Sequence, residues 1–301
     1  MKYLISGGTG LVGTAITKQL LQNGHQVMVL SRNGKARAEW LDGEVSRSKW
    51  DPANQVIDQE AVKTAHVIIN LAGSSVSQRW TEANRRSILN SRVDSTSTLV
   101  NAMQGLASKP FISASAIGLY ADSDELQDES SPAAEGFLSD VVVRWEQEAE
   151  KAQEFGHRVV MLRIGLVLAK EGGALKSLAP IFKLGIGSAV GSGKQWQSWI
   201  HIDDLAALFI QAGNEDSWGG AMNAVAPNPV SNKTFSKALA KTLGRPFWAP
   251  NVPAFVLKLV FGKMSQVVLA SQKVSSKKTE AAGFNFQYTQ IQDALHSIYR
   301  S

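Results

Sequence analysis

The strongest constraint on the fold is a glycine-rich segment that follows the first apolar run of the chain. Lys2–Ser6 (KYLIS) has the composition of a buried strand, and it runs directly into GGTGLVG at residues 7–13. An amphipathic stretch, Leu11–Gln22, begins inside this segment and ends before Gly24, which predicts a helix. A strand, a glycine turn and a helix in this order open a βαβ unit of the dinucleotide-binding kind.

The spacing of the glycines explains how such a turn would hold a nucleotide. Gly7, Gly10 and Gly13 stand at G-x-x-G-x-x-G spacing. Without a Cβ atom the chain can turn sharply, approach a diphosphate and pack the helix closely on the sheet, and the first helical amides offer N–H donors to the anion. An ordinary loop is the alternative, but the position between a strand and a helix disfavours it. We expect the cofactor contacts here to be Gly7, Thr9, Gly10, Leu11, Val12 and Gly13.

The residues after the second predicted strand indicate which dinucleotide is bound. Gln26–Ser31 is that strand, and Arg32 follows it, with Lys35 and Arg37 further along. An acidic residue here would bind the ribose 2′-hydroxyl of NAD, whereas a cation accommodates the 2′-phosphate of NADP. Arginine suits phosphate because its N–H groups bind in parallel pairs, although a plain surface arginine is the alternative. We therefore expect NADP(H) as the cofactor, held at this point by Ser31, Arg32 and Asn33.

Short apolar runs alternate with amphipathic stretches through the first half of the chain. His66–Ala72 and Phe111–Ala114 predict central strands, with a helix between them over about residues 82–104. Ser139–Phe155 predicts another helix, and Arg158–Ile164 predicts the strand after it. From about residue 171 glycine-rich loops are expected instead, followed by short helices at residues 232–243, 254–261 and 289–298.

This alternation predicts an α/β protein with a Rossmann-type doubly wound parallel sheet and a smaller C-terminal α/β substrate lobe. We expect the dinucleotide-binding domain over residues 1–170, with a return segment at about 198–225, and the smaller lobe over residues 171–301. A chain of 301 residues is long for one compact core, which agrees with two lobes. Two lobes imply a cleft for a small-molecule substrate.

Composition excludes several classes of function. Without cysteine, the chain has no disulfide, thiolate metal site or cysteine nucleophile, and no histidine stands at ligand spacing from His201, so we expect no metal. A net charge of +5 could suit nucleic acid, but the basic residues are scattered and we expect no nucleic-acid partner. The N-terminal strand leaves no room for a signal peptide, and the apolar stretch Val252–Val260 is too short to span a membrane. We expect a cytoplasmic protein.

Three segments resemble the extended branch of the short-chain dehydrogenase/reductase superfamily. They are Asn70–Gly73 (NLAG), Ser113–Tyr120 (SASAIGLY) and Trp199–Asp204 (WIHIDD). The resemblance implies that the first segment packs beside the cofactor, that the second carries a serine at the end of the fifth strand, and that the third leads back from the substrate lobe. It adds three cofactor contacts to those above: Leu71, Ala72 and Gly73.

The superfamily's Tyr-x-x-x-Lys pair is absent. Alignment on Trp145 and Glu146 puts Leu138 and Val142 where the tyrosine and lysine would stand. In lacking this pair, the chain resembles an atypical subgroup, the YfcH-like proteins, which are often labelled nucleoside-diphosphate-sugar epimerases. That subgroup also resembles this chain in Ser91–Thr96 (SRVDST), where Arg92 replaces the usual active-site asparagine, and in the C-terminal stretch from residue 250 to 284.

Three residues remain as candidates for catalysis. Ser115 could polarise a substrate carbonyl, or it could be a strand-end serine bonded to backbone. Tyr120 could donate a proton, because without a lysine neighbour its pKa should stay near ~10. Arg92 could bind an anionic substrate group, a carbonyl oxygen or the cofactor, or it could be an exposed helix arginine.

Two functions are compatible with these residues. The first is an NADP(H)-dependent oxidoreductase or epimerase-like enzyme acting on a small polar molecule, a phosphorylated molecule or a sugar nucleotide. The second is an NADP(H)-binding sensor or partner protein with little or no turnover, which the missing Tyr-x-x-x-Lys pair favours. Ser115, Tyr120, Arg92 and a full second lobe favour the enzyme.

Overall fold

The computed structural model describes residues 1–32 and 45–300, so the predicted contact Asn33 lies outside the described residues, as do Lys35 and Arg37. Eleven helices lie within these ranges, together with short 3-10 turns. The helices are α1 (Leu11–Gln22), α2 (Gln59–Thr64), α3 (Glu82–Met103), α4 (Phe137–Glu150), α5 (Gly173–Lys183), α6 (Ile202–Asn214), α7 (Asn232–Thr242), α8 (Ala254–Phe261), α9 (Ser265–Leu269), α10 (Lys277–Ala281) and α11 (Ile291–Arg300).

The strands of the described residues form three sheets. They are β1 (Lys2–Ser6), β2 (Gln26–Ser31), β3 (Val45–Asp51), β4 (Val56–Ile57), β5 (Val67–Asn70), β6 (Pro110–Ala116), β7 (Ser123–Gln127), β8 (Arg158–Ile164), β9 (Leu166–Leu168), β10 (Trp196–Gln197), β11 (Trp199–His201), β12 (Gly220–Ala224), β13 (Val230–Ser231) and β14 (Gln272–Val274).

The largest sheet has the strand order β12-β8-β6-β5-β1-β2-β3-β4. All neighbours are parallel except β4, which runs antiparallel to β3. The order reverses at β1, because the chain goes from β1 outward through β2 and β3 and then returns to β5 on the other side. In a doubly wound sheet, ligands bind outside the carboxyl ends of the strands at this switch point.

Helices cover both faces of this sheet, which explains the apolar strands. Successive residues of a strand face opposite sides, so Ile5 packs with the α1 and α6 layer, whereas Leu4 packs with the α2 and α3 layer. Ile16 of α1 and Phe209 of α6 are fully buried in the first layer, and Leu99 of α3 in the second. The predicted doubly wound α/β fold is confirmed.

A second lobe grows from the carboxyl ends of β8 and β12. It contains the small sheets β13-β10-β14-β7 and β11-β9 and a separate apolar cluster around Trp199, Phe235 and Leu295. β9 starts two residues after β8 ends, and the amide of Gly165 between them donates to the carbonyl of Ala224 at the end of β12. The lobe therefore stands at the same edge of the large sheet as the glycine turn. The domain boundary at residues 170 and 171 stays a prediction.

Two expectations about local structure were wrong. Helix α5 occupies part of the region expected to be glycine-rich loops, because Leu175, Ala179 and Phe182 recur at helical spacing and bury one face despite Pro180. The predicted strand His66–Ala72 is shorter, since β5 ends at Asn70, whose side chain joins a polar cluster. Strand β3 was not predicted, because most of its residues are polar. It pairs in parallel with β2 near the outer side of the sheet.

Candidate functional site

The glycine turn is packed so tightly that side chains cannot replace its hydrogens. Gly7 has a φ of +68°, and a Cβ there would lie 2.8 Å from the carbonyl of Leu71. A Cβ on Gly13 would lie 2.5 Å from the oxygen of Gly7, which locks α1 against the turn. Gly10 precedes α1 and offers no side-chain cap, so the amides of Leu11, Val12 and Gly13 keep the free donors of a helix start. Thr9 lies exposed within the turn.

The end of β2 lies beside this turn. Because Ser6 pairs with Leu30 in the parallel register of β1 and β2, Ser31 and Arg32 extend past the same edge as Gly7. Ser31 is half-buried and Arg32 is exposed. Within the described ranges Arg32 has no ion-pair partner, so its guanidinium is available at the edge of the sheet.

A polar cluster holds the segment after β5 against the turn. Ser6 donates to the side-chain oxygen of Asn70 at 2.7 Å, and its own oxygen accepts the amides of Leu71 and Ala72 at 3.1 and 3.2 Å. The amide of Asn70 donates to Thr96 of α3 at 2.8 Å. These bonds place three predicted cofactor contacts next to the glycine turn: Leu71, Ala72 and Gly73.

Arg92 lies on α3 directly over Gly73. A Cβ on Gly73 would be 3.0 Å from the Cζ of Arg92, and the guanidinium stacks over the ring of Trp145 at 5.1 Å. One terminal nitrogen donates to the carbonyls of Ser74 and Ile88, both at 3.0 Å. Burial lowers the pKa of Arg92 to about 10, so the group is still charged at neutral pH.

Ser115 lies at the end of β6 and is bonded to a carboxylate that motif spacing did not single out as functional. Its hydroxyl donates to Oε1 of Glu146, on α4, at 2.5 Å. Arg163 of β8 donates to both oxygens of the same carboxylate, at 2.9 and 2.8 Å. Ser115 is 2% exposed, and Glu146 and Arg163 are each 8% exposed. Burial alone would lower the pKa of Arg163, but the bonds and charge of Glu146 raise it above its usual value.

Tyr120 belongs to the same hydrogen-bonded group as Ser115, Glu146 and Arg163. Its hydroxyl donates to the side-chain oxygen of Asn223 at 2.7 Å and accepts from Arg163 at 2.9 Å. Burial raises the pKa of Tyr120 above its usual value, although its hydrogen bonds with Arg163 and Asn223 act in the opposite direction. The only hydroxyl proton of Tyr120 is therefore used inside the protein, and its role as a proton donor stays a prediction.

Helix α4 begins at Phe137, after Gly136, and so carries Leu138 and Val142 where the sequence alignment put them. Leu138 packs near Gly118 in the turn after β6: a Cβ on that glycine would be 3.6 Å from the Cβ of Leu138. Val142 is buried. Apolar side chains thus occupy these two positions of α4, whereas Glu146, four residues after Val142, is the residue of this helix that bonds Ser115. The ring of Trp80 packs edge-on against Phe137, the first residue of α4.

His201 has a structural role in this fold. It caps α6 by accepting the amide of Asp203 at 3.1 Å, and its ring lies 3.9 Å from that of Tyr288. Burial lowers its pKa, against the charges of Asp203 and Asp204. Over the described ranges, no group of three or more histidine, aspartate and glutamate side chains could hold a metal ion. In the same residues no helix is both long and apolar enough to cross a bilayer.

Glu146, Arg163 and Asn223 were not predicted as site residues. Glu146 served only to align α4, and Asn223 carried no motif. Arg163 did offer a signal, because a charged residue inside the apolar strand RVVMLRI must find a buried partner. The partner itself is 17 residues away along the chain, so only the tertiary structure identifies it.

Comparison with known proteins gives a consistent set of relatives. The model of the NAD dependent epimerase/dehydratase family matches residues 3–224. A second model, for a domain of unknown function (DUF1731), matches residues 252–298. The epimerase family protein SERP0438 of Staphylococcus epidermidis is 35% identical over 306 residues, covering 100% of this chain and 99% of its own.

Two further relatives are similar along nearly their whole length. The Arabidopsis thaliana protein named epimerase family protein SDR39U1 homolog, chloroplastic, is 36% identical and covers 99% of this chain and 86% of its own. The crystal structure of human epimerase family protein SDR39U1 with NADPH has a TM-score of 0.87 and 31% identity, and the match covers 100% of both chains. A chain with this fold and this level of identity has thus been crystallised with NADPH.

Proposed function

The chain belongs to the NAD dependent epimerase/dehydratase family, and we propose that it is an NADP(H)-dependent oxidoreductase or epimerase-like enzyme. Its substrate would be a small polar or phosphorylated molecule, such as a sugar nucleotide, bound between the large sheet and the second lobe. The observation that carries the proposal is the turn at residues 7–13, where backbone alone fills the space between β1, α1 and the segment after β5. The human relative crystallised with NADPH supports the choice of cofactor.

The residues present fit a dinucleotide phosphate. The donor amides at the start of α1 would hold the diphosphate, since Gly7 and Gly13 leave room for backbone only. Arg32, with Ser31 beside it, would hold the phosphate on the adenosine ribose. When bound, NADP(H) supplies a hydride donor or acceptor. Leu71, Ala72 and Gly73 would form the wall of the site beside the glycine turn.

The choice of NADP(H) over NAD(H) is tested at Arg32. We expect Arg32→Ala to weaken NADPH binding on the order of tenfold or more, because a charged hydrogen bond contributes about 1.5–3 kcal/mol. NADH binding should change less than twofold. Calorimetric titration of both nucleotides measures this, with Arg86→Ala as the control, because Arg86 is an exposed arginine on α3 that pairs with Glu82 of the same helix. Equal losses for the two nucleotides would refute the assignment.

Within this proposed enzyme, Ser115 acts on the reacting group as a hydrogen-bond acceptor rather than as a hydrogen-bond donor. A serine hydroxyl has one hydrogen, and Ser115 gives it to the Glu146 carboxylate. The oxygen can therefore accept a hydrogen bond from a substrate hydroxyl. Glu146 acts as a positioning residue here, and Arg163 balances its charge. This arrangement favours a hydroxyl substrate over the carbonyl that the sequence suggested.

Enzymatic activity is tested directly with sugar nucleotides and simple alcohols. The protein should be mixed with NADP⁺ and each compound while absorbance of the reduced nicotinamide is followed. An epimerisation that recycles its hydride leaves no net absorbance change and takes no deuterium from solvent, so nuclear magnetic resonance of the sugar nucleotide is used to detect the inverted product. Ser115→Ala should abolish turnover and leave NADPH affinity within about twofold, because one neutral hydrogen bond contributes only about 0.5–1.5 kcal/mol to binding. Tyr120→Phe should retain activity if Tyr120 only supports Arg163, and lose it if Tyr120 is the proton donor.

A sensor or partner protein with little turnover is the second candidate. Leu138 and Val142 favour it, because neither side chain can move a proton at the two α4 positions where the superfamily carries its tyrosine and lysine. The internal bonds of Ser115 and Tyr120 favour it too. Tight nucleotide binding with neither reduction of NADP⁺ nor an inverted sugar product across the panel would support the sensor and contradict the enzyme.

A further inference from the structure

Arg92 differs from two other arginines of low exposure, Arg158 and Arg163, in its electrostatic surroundings. Arg163 is paired with both oxygens of Glu146, and Arg158 lies 3.9 Å from Asp216. Within residues 1–32 and 45–300 no carboxylate forms an ion pair with Arg92. Its partners are two neutral carbonyls, of Ser74 and Ile88, and the face of an indole ring.

This side chain also has donors to spare. A guanidinium carries five N–H groups, and Arg92 uses one terminal nitrogen for both of its bonds. Nε and the other terminal nitrogen have no acceptor within the described part of the chain. Removing a charge from water without a counter-ion is unfavourable. Burial therefore disfavours the charged form of Arg92 and lowers its pKa. A fold retains such a group at little disadvantage when a ligand supplies the missing negative charge.

The position of Arg92 indicates where that ligand would lie. The guanidinium covers Gly73, which is exposed, and Gly73 follows the segment that packs against Gly7. The same edge of the sheet carries the start of α1 and the end of β2. Arg92 is thus the partly buried cation beside the glycine turn, whereas Arg32 is the exposed one on its other side.

We propose that Arg92 binds an anionic group, a phosphate or carboxylate, through its unused N–H face at the edge of the cleft beside Gly73. The anion has two possible sources of the same chemistry: the diphosphate of NADPH, or a phosphate or carboxylate on the substrate. The second source would define the substrate as an anion. The proposal deepens the proposed function and relies on it for the identity of the cofactor, but the charge argument holds without it.

The test uses Arg92→Met, which keeps an unbranched apolar stem and removes the charged guanidinium, with Arg86→Met as the control on the same helix. The first arm measures NADPH binding by calorimetry in phosphate-free buffer. The second arm titrates NADPH-saturated protein with inorganic phosphate and with acetate. Arg92→Lys provides a variant that keeps the charge, should Arg92→Met fail to fold, and it should retain part of the anion binding because only the planar fork is lost.

Each outcome decides between the sources or against the proposal. A loss of NADPH affinity of about tenfold or more in Arg92→Met, with none in Arg86→Met, assigns the anion to the cofactor. Unchanged NADPH affinity, with phosphate or acetate binding that Arg92→Met abolishes, assigns it to the substrate. If Arg92→Met and Arg92→Lys alter neither titration, the proposal is refuted. If the wild-type protein binds no NADPH, the proposed function fails, and anion titration of the free protein still tests Arg92.

Discussion

Replacing Glu146 by glutamine should destabilise the protein strongly. Glu146 accepts three short hydrogen bonds, one from Ser115 and two from Arg163, and all three residues are more than nine-tenths buried. Glutamine has one acceptor oxygen, so its NH₂ group would face a donor of Arg163 or Ser115. The guanidinium would remain buried without a counter-charge. Breaking a buried pair in this way typically costs about 3–5 kcal/mol, and we expect a loss in that range.

The matched control is Glu148→Gln, two residues along the same helix. Glu148 pairs with Lys151 at 2.7 Å, but the lysine side chain is 53% exposed, so about 0–1 kcal/mol should be lost. Removing both buried charges, in Glu146→Leu/Arg163→Leu, should cost less than Glu146→Leu alone, since no uncompensated charge is left.

Urea denaturation followed by circular dichroism measures the free energy of unfolding of each variant at neutral pH. The reasoning about the buried pair is refuted if Glu146→Gln loses no more than Glu148→Gln. It is also refuted if the stability lost by the double variant equals the sum of the losses in Glu146→Leu and Arg163→Leu. Losses at independent side chains add, whereas losses at a coupled pair do not.

Two further predictions concern the turn and the pH dependence. Gly7→Ala should prevent NADPH binding and should lower the melting temperature well beyond the effect of Gly24→Ala. Both glycines have positive φ, but only at Gly7 would a Cβ meet backbone, at 2.8 Å. Equal effects of the two variants in thermal melts and NADPH titrations would contradict the packing argument. Burial lowers the pKa of His201 from 6.5, so the unfolded chain binds its proton first as pH falls, and stability is lost on acidification from about 6.5 through the folded pKa. His201→Asn keeps a helix cap and should remove this loss in denaturation curves measured from neutral to acidic pH; an unchanged slope would show that other groups cause it.

The local elements near the glycine turn could be predicted closely from the sequence. β1, α1 and β2 have the predicted bounds, because each is set by nearby residues: an apolar run, the glycines of the turn and the stop at Gly24. β8 and α8 agree as well. Helix α5 was missed because Pro180 and the surrounding glycines predict loops, whereas burial of Phe182 in the second lobe stabilises a helix.

The candidate site shows the same division. The proposed nucleotide-binding side of the site depends on backbone conformation, and the glycine residues of the turn indicate that conformation directly in the sequence. The chemistry around Ser115 depends on which side chains become neighbours, and those come from separate elements: Glu146 from α4, Arg163 from β8 and Asn223 from β12. A residue type alone does not reveal whether its hydrogen bond points to the cleft or to another buried group.

The sequence by itself therefore determined the doubly wound fold and the glycine turn, because these follow from short-range spacing, and the position of Arg32 after β2 supplied the prediction of NADP(H). The tertiary structure alone decided that Ser115 gives its hydrogen to a carboxylate, that Tyr120 is bonded within the protein, and that Arg92 is a partly buried cation without a carboxylate partner among the described residues. Hydrogen-bond direction and charge compensation are properties of three-dimensional neighbours, and neighbours far apart along the chain meet only when the sheet and its helices assemble.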